Sequence, residues 1–229
     1  MINRSRSMMK LFPAFGAALL ASLVLSGLVA GSALALSYSP ANGTFPQNYA
    51  IGGGTGAVME VAGKPSLKVQ CSQAGGGTTS FNSGTSGTAR LEFKSCKASS
   101  IGVTCTTAGQ PAGTIITKVL GVTPVYLNAE QTKYGLRLSG EGSGPNWWEP
   151  GTFATFACGG GSMRTQTGFE TVEITNPLNV NTESFSVVAN EATQKAGGSY
   201  VLGESGAAVA LRTSFTMWSV SGVLAKFVP

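Results

Sequence analysis

The sequence predicts an all-β fold, an antiparallel β-sandwich stapled by disulfides, and three observations lead there. Short alternating or β-branched runs recur with turn residues between them about every 8–12 positions, the spacing of sandwiches and barrels. In the mature chain no segment sustains a 3.6-residue apolar period. Four cysteines, Cys71, Cys96, Cys105 and Cys158, lie in a chain that begins like an export precursor. An even set in such a chain reads as a disulfide framework.

The export signal comes first. Arg4, Arg6 and Lys10 form a basic start, an uncharged apolar run extends from Leu11 to Leu34, and Ala33-Leu34-Ala35 matches a small-x-small cleavage site. Together they predict a signal peptide over residues 1–35 and a mature chain from Leu36. An uncleaved anchor is the alternative, because the run is long enough to span a bilayer. No second long apolar segment follows, so the cleaved product has no stable membrane span and is expected to be secreted or at the cell surface. Removing residues 1–35 from 229 leaves 194 and takes three of the 15 basic residues, so 12 basic residues face 10 acidic ones. That small excess is scattered along the chain and gives no electrostatic case for nucleic acid.

The mature chain is then read in order. Leu36 to Ala57, rich in Ser, Pro, Asn and Gly, is expected to be an extended arm. Its Ile51–Ala57 run, IGGGTGA, lacks the Lys-Ser/Thr ending of a phosphate loop. Asn42-Gly43-Thr44 is a formal glycosylation sequon. Residues 58–229 are expected to form the sandwich, as one unit or as two small β subdomains with a boundary near 159–162. Val58–Val61 and Leu67–Cys71 read as strands split by Gly63-Lys64-Pro65. Gln73 to Gly87 is glycine-rich and polar, the composition of a loop. Arg90 to Thr107 reads as a hairpin or wide loop carrying Cys96 and Cys105. Thr114–Val122, Val125–Asn128, Tyr134–Leu138 and Thr152–Cys158 are β-prone, and in Tyr134–Leu138 the residues Tyr134, Leu136 and Leu138 share a face. Phe169–Ile174, Ser184–Ala189, Tyr200–Gly203 and Val209–Trp218 follow, with Val220–Val228 closing the sheet. On the Val209–Trp218 strand Leu211, Phe215 and Met217 belong to the core face. Sequence allows three cysteine pairings. Close spacing favours Cys96–Cys105, which leaves Cys71–Cys158 around it.

With these motifs in view the chain resembles a group of uncharacterised secreted β-proteins of high-GC Gram-positive bacteria. The resemblance rests on the signal peptide, the Cys-x8-Cys unit (Cys96, Cys105), Gly113–Gly121 (GTIITKVLG), the YGLRL strand from Tyr134 and Phe156–Gly160 (FACGG). It spans roughly Leu67 to Ile174 and implies export and a β fold, with no activity to carry over.

Two absences narrow the chemistry. The chain has no histidine and no aspartate, so a Ser-His-Asp or Cys-His site cannot be built. With no C-x-x-C pair and no histidine the spacing gives no zinc set, the Asp/Asn spacing of an EF-hand calcium loop is absent, and neither a metal nor a cofactor is expected. Paired glutamates remain. Glu141 and Glu149 flank a Gly/Pro loop but lack support for glycoside hydrolysis, and Glu170 and Glu173 face opposite sides of a regular strand. The only S-x-x-K, Ser7 to Lys10, leaves with the signal peptide. The most site-like stretch is Asn146 to Pro150. There Trp147, Trp148 and Glu149 offer a stacking surface for a sugar or a partner protein, or a cover for one end of the β core. The expected function is a non-enzymatic exported or cell-surface β-sandwich with a binding or structural role, its partner a cell-envelope glycan or protein. One alternative is a secreted carbohydrate-binding or carbohydrate-active protein using the Trp147/Trp148 loop. A third is a subunit that donates the 36–57 arm to a neighbour's sheet.

Overall fold

A computed structural model describes residues 35–140, 151–196, 202–204 and 207–229, and the structural statements below concern these. Residues 1–34, within the expected signal peptide 1–35, and the Trp147/Trp148/Glu149 loop lie outside the described residues. In chain order the first strands are β1 (Ser37–Pro40), β2 (Gln47–Val61), β3 (Val69–Phe81) and β4 (Gly87–Ala98). Short β5 (Cys105–Thr106) and β6 (Ile115–Ile116) precede β7 (Leu120–Tyr126), β8 (Tyr134–Ser139) and β9 (Thr152–Cys158). Then come β10 (Arg164–Ile174), β11 (Ser184–Ala189), a six-residue helix α1 (Glu191–Ala196), β12 (Leu202–Glu204), β13 (Ala207–Ser219) and β14 (Ala225–Val228).

The protein is all-β and disulfide-stabilised. Its strands pair antiparallel in the order β2-β3-β4-β7-β8-β10-β11-β13, and β13 pairs back onto β2. The hydrogen-bonded path therefore closes on itself, which removes the exposed edges an open sheet would present. β10 and β13 are joined through β11 at one end and through β12 at the other. Both pair with strands from before Gly159 as well as after it. Residues 159–162 are thus a turn within one compact unit that runs from Leu34 to Pro229.

The interior is filled by alternate residues of each strand, as a period of two requires. Leu211, Phe215 and Met217 lie on the buried face of β13, and Tyr134, Leu136 and Leu138 on that of β8. One end is closed by the separate ribbon of β1 and β14. Within Val220–Val228, Ala225–Val228 therefore pairs with Ser37–Pro40 instead of extending the large sheet. Tyr38 of this ribbon stacks on Phe81 at 4.1 Å, and its hydroxyl lies 2.7 Å from that of Tyr49. Burial raises both phenol pKa values above the ordinary tyrosine range, and that of Tyr134 to about 12.

Two stretches differ from the sequence expectation. Residues 36–57 are no arm: they supply β1 and most of β2, which pairs with β3 and β13. Residues 73–81 belong to β3, and only 82–86 form the turn to β4. Glycine is what makes both possible. β2 carries two register shifts against β13, and β3 carries one against β4 between Ala74 and Gly76. Glycine commonly marks such bulges. A Cβ on Gly54 would lie 2.0 Å from the Ala74 carbonyl oxygen and 2.3 Å from that of Ser214. Gly75, with φ +140°, occupies the bulge of β3.

The disulfides correct the nested pairing. Cys71 bonds Cys96, and Cys105 bonds Cys158. Each bond joins residues directly opposite on neighbouring strands, β3 to β4 and β5 to β9. Proximity in sequence misled because Cys96 and Cys105 sit on strands that lead to different neighbours. The bonds close 25- and 53-residue separations, worth about 3.5 and about 4 kcal/mol on the chain-entropy model.

Candidate functional site

β10 carries the polar residues that the interior has to accommodate. Its inward positions run Gln166, Gly168, Glu170, Val172 and Ile174, all buried. At its start Arg164 meets Glu204 of β12 in a two-pronged pair, Nε to Oε1 at 2.6 Å and Nη2 to Oε2 at 3.0 Å. Arg164 Nη2 also donates to the Leu67 carbonyl at 2.7 Å, and its guanidinium lies 5.1 Å from the Phe156 ring centre. Gln166 Nε2 faces Glu204 Oε2 at 3.5 Å and the Met59 sulfur at 3.8 Å. Arg164, Gln166 and Glu204 thus tie β10, β12 and the turn before β3 together.

Four residues further along, Glu170 is fully buried. Gln194 of α1 donates its amide to Glu170 Oε2 and lies 3.4 Å from the Val209 carbonyl of β13. Asn190 caps α1, its side chain accepting from the Ala192 and Thr193 amides. Desolvation raises the Glu170 carboxyl well above the ordinary glutamate range, against the lowering effect of its bonds to Gln194 and the Thr171 backbone. Burial thus favours the protonated form of this acid, which meets the Gln194 amide inside the fold. Glu173, on the opposite face as expected, forms a solvent-side ion pair with Lys133 at 3.8 Å.

Glu170 yields a pH prediction. Its folded pKa lies above its unfolded one, so the native state binds the extra proton and stability falls as pH rises from the glutamate range toward the raised value. Glu170→Gln is expected to flatten that fall. The stability gap between variant and parent should widen with pH by up to about 1.4 kcal/mol per unit. Urea titrations across pH 4–8 showing parallel curves would refute it.

Trp147, Trp148 and Glu149 lie outside the described residues, as does Glu141. The stems of their loop are placed. Gly140 donates to the Gly168 carbonyl and Gly168 to that of Gly151, so the loop leaves where β10 exchanges β9 for β8 as its partner. Trp218 is described. It sits on the outer face of β13, 41% exposed, opposite Ala50 of β2 and Ser184 of β11. No cation–π contact joins it to Arg212, which pairs instead with Glu60 and Glu191 at 3.8 and 3.9 Å. Among the described residues no group of three or more His, Cys, Asp or Glu stands where it could hold a metal ion. No helix there is long and apolar enough to cross a membrane.

Sequence reasoning missed Arg164, Gln166, Gln194 and Glu204. The signal available was the alternation of Gln166, Gly168 and Glu170 with Val172 and Ile174, which puts polar and apolar residues on one face. Comparison with protein-family models, curated proteins and solved structures finds no match for this chain. Its site chemistry therefore rests on its own geometry.

Proposed function

We propose that the protein is exported and acts outside the cytoplasm as a non-catalytic β-protein with a binding or structural role, of the kind its resemblance to secreted β-proteins of high-GC Gram-positive bacteria implies. The carrying observation is the pair of cross-strand disulfides, which use all four cysteines and belong to an oxidising compartment. The basic and apolar start with Ala33-Leu34-Ala35 supports export in the same direction. The buried glutamates favour a non-catalytic role, since Glu170 and Glu204 serve the fold.

Intact-mass analysis of the protein recovered outside the cell is expected to give a chain starting at Leu36, with a further mass deficit of four hydrogens for two disulfides. A product retaining residues 1–35, or four free thiols, would refute this reading.

A further inference from the structure

We propose that the outer wall formed by β11, β13, β2 and β3 binds a neutral polysaccharide, with Trp218 as its stacking residue. These strands are consecutive neighbours in the sheet, and around Trp218 they carry no charge; Glu60 of β2 and Arg212 of β13 lie on the same outer face farther along. Residues 184–190, 213–225, 47–59 and 69–89 contain no Asp, Glu, Lys or Arg. The chain as a whole is 11% charged, well below the about 25–35% aimed for in designed surfaces, and the part of the wall around Trp218 carries none. Its flanking charges, Glu60, Lys68, Arg90, Glu183, Arg212 and Lys226, lie just beyond these segments.

What replaces charge is hydroxyl and amide. Ser184, Ser186, Ser214 and Thr216 point outward from β11 and β13, and Asn48, Thr55, Thr78 and Ser80 from β2 and β3. Thr55 and Ser214 share a 2.7 Å hydrogen bond across the strands. Trp218 stands among them. Its ring leans toward Gly52, where a Cβ would lie 2.5 Å from Cη2 and 3.2 Å from Cζ3. Glycine at 52 thus gives the indole room to settle against the sheet while 41% of the residue stays in solvent. An exposed indole bordered by neutral donors and acceptors suits pyranose rings, whose C–H faces stack and whose hydroxyls exchange hydrogen bonds. Arg212, the cation within these four strands, is engaged by Glu60 and Glu191, so it does not stand beside Trp218 to select a uronate or phosphate. Charge complementarity thus commits the surface to an uncharged glycan.

The test uses the purified mature chain, residues 36–229, so its outcome does not depend on export. The probes are immobilised neutral glucans and mannans, with a polyuronate as the charged control. Retention on at least one neutral polymer and none on the polyuronate is expected. Trp218→Ala is expected to weaken retention about 5- to 150-fold, by analogy with base stacking on aromatic side chains. Ser186→Arg, an exposed change that adds a charge to the wall, serves as the second variant should Trp218→Ala fail to fold. It is expected to weaken retention with an unchanged Tm. Absence of retention on every neutral polymer would overturn the proposal. So would parental binding by both variants, or loss of binding on Trp147→Ala/Trp148→Ala with Trp218→Ala unaffected. Self-association or binding to zwitterionic phosphatidylcholine vesicles that disappears in Trp218→Ala would assign the wall to a second copy or a lipid surface instead, and would equally overturn it.

Discussion

Glu204→Ala is expected to destabilise the protein by about 3–5 kcal/mol, the usual cost of leaving one partner of a buried ion pair uncompensated. The side chains of Arg164 and Glu204 are 12% and 3% exposed, so water cannot take over from the missing carboxylate. Two hydrogen bonds to Arg164 are lost, while its bond to the Leu67 carbonyl keeps the cation where it is. For a domain of this size the change corresponds to a Tm drop of about 6–20 °C. The double variant Arg164→Met/Glu204→Leu separates charge burial from packing. It is expected to recover most of the loss, because well-packed apolar replacements of buried pairs are often neutral or stabilising. Thermal and urea unfolding of Arg164→Met, Glu204→Leu and the double variant close the cycle. An Ala variant within about 1 kcal/mol of the parent would show that the pair is solvated.

The class of the fold was legible because strands such as β11 and β13 alternate buried and outward residues with a period of two. Tyr134, Leu136 and Leu138 lie on one face as read, and Leu211, Phe215 and Met217 on another. β2 and β3 were illegible for a physical reason. Glycine lowers β-propensity when nothing opposes it, so IGGGTGA and AGGGTT resemble linkers. In the folded chain Gly54, Gly56, Gly75 and Gly77 sit where a neighbouring strand's backbone approaches too closely for a Cβ, and a fold-wide constraint outweighs the local preference. The disulfide pairing depended on the same detail. From Phe81–Gly87 the hairpin register runs regularly to Gly76–Glu92. Continued unbroken, it would set Cys71 against Lys97. The extra residue at Gly75 moves the register by one, so that Cys71 meets Cys96. A one-residue shift of this kind is set by backbone geometry and leaves no periodic trace in sequence.

The interior polar row was hidden for a different reason. Its members come from three elements far apart in the chain, and each looks solvent-facing on its own. Only closure of the sheet places Arg164 beside Glu204 and Gln194 beside Glu170. Proteins generally do not enclose charge without partners, and here the partners arrive on β12 and α1.

Phe227→Ala is expected to cost about 3–5 kcal/mol, the range for deleting a fully buried phenylalanine side chain. Phe227, on β14, has no exposed surface. Its ring centre lies 5.7 Å from Tyr38, 6.0 Å from Phe81, 5.5 Å from Tyr134 and 5.1 Å from Phe185. These partners belong to β1, β3, β8 and β11, so one side chain from the closing ribbon touches strands from separated parts of the circuit. The edge-on and tilted arrangements add to area burial by about 0.5–1.5 kcal/mol per favourable pair. Truncation should therefore loosen the ribbon as well as leave a void. The expected signature is a lowered Tm with faster hydrogen exchange at Ser37–Pro40 and Ala225–Val228 than at β10 and β13. Phe227→Leu should retain more than half of the stability lost by Ala, since it fills most of the volume while giving up the ring contacts. Uniform exchange across all strands in Phe227→Ala, or a loss below about 1 kcal/mol, would show that the ribbon is not what closes this end.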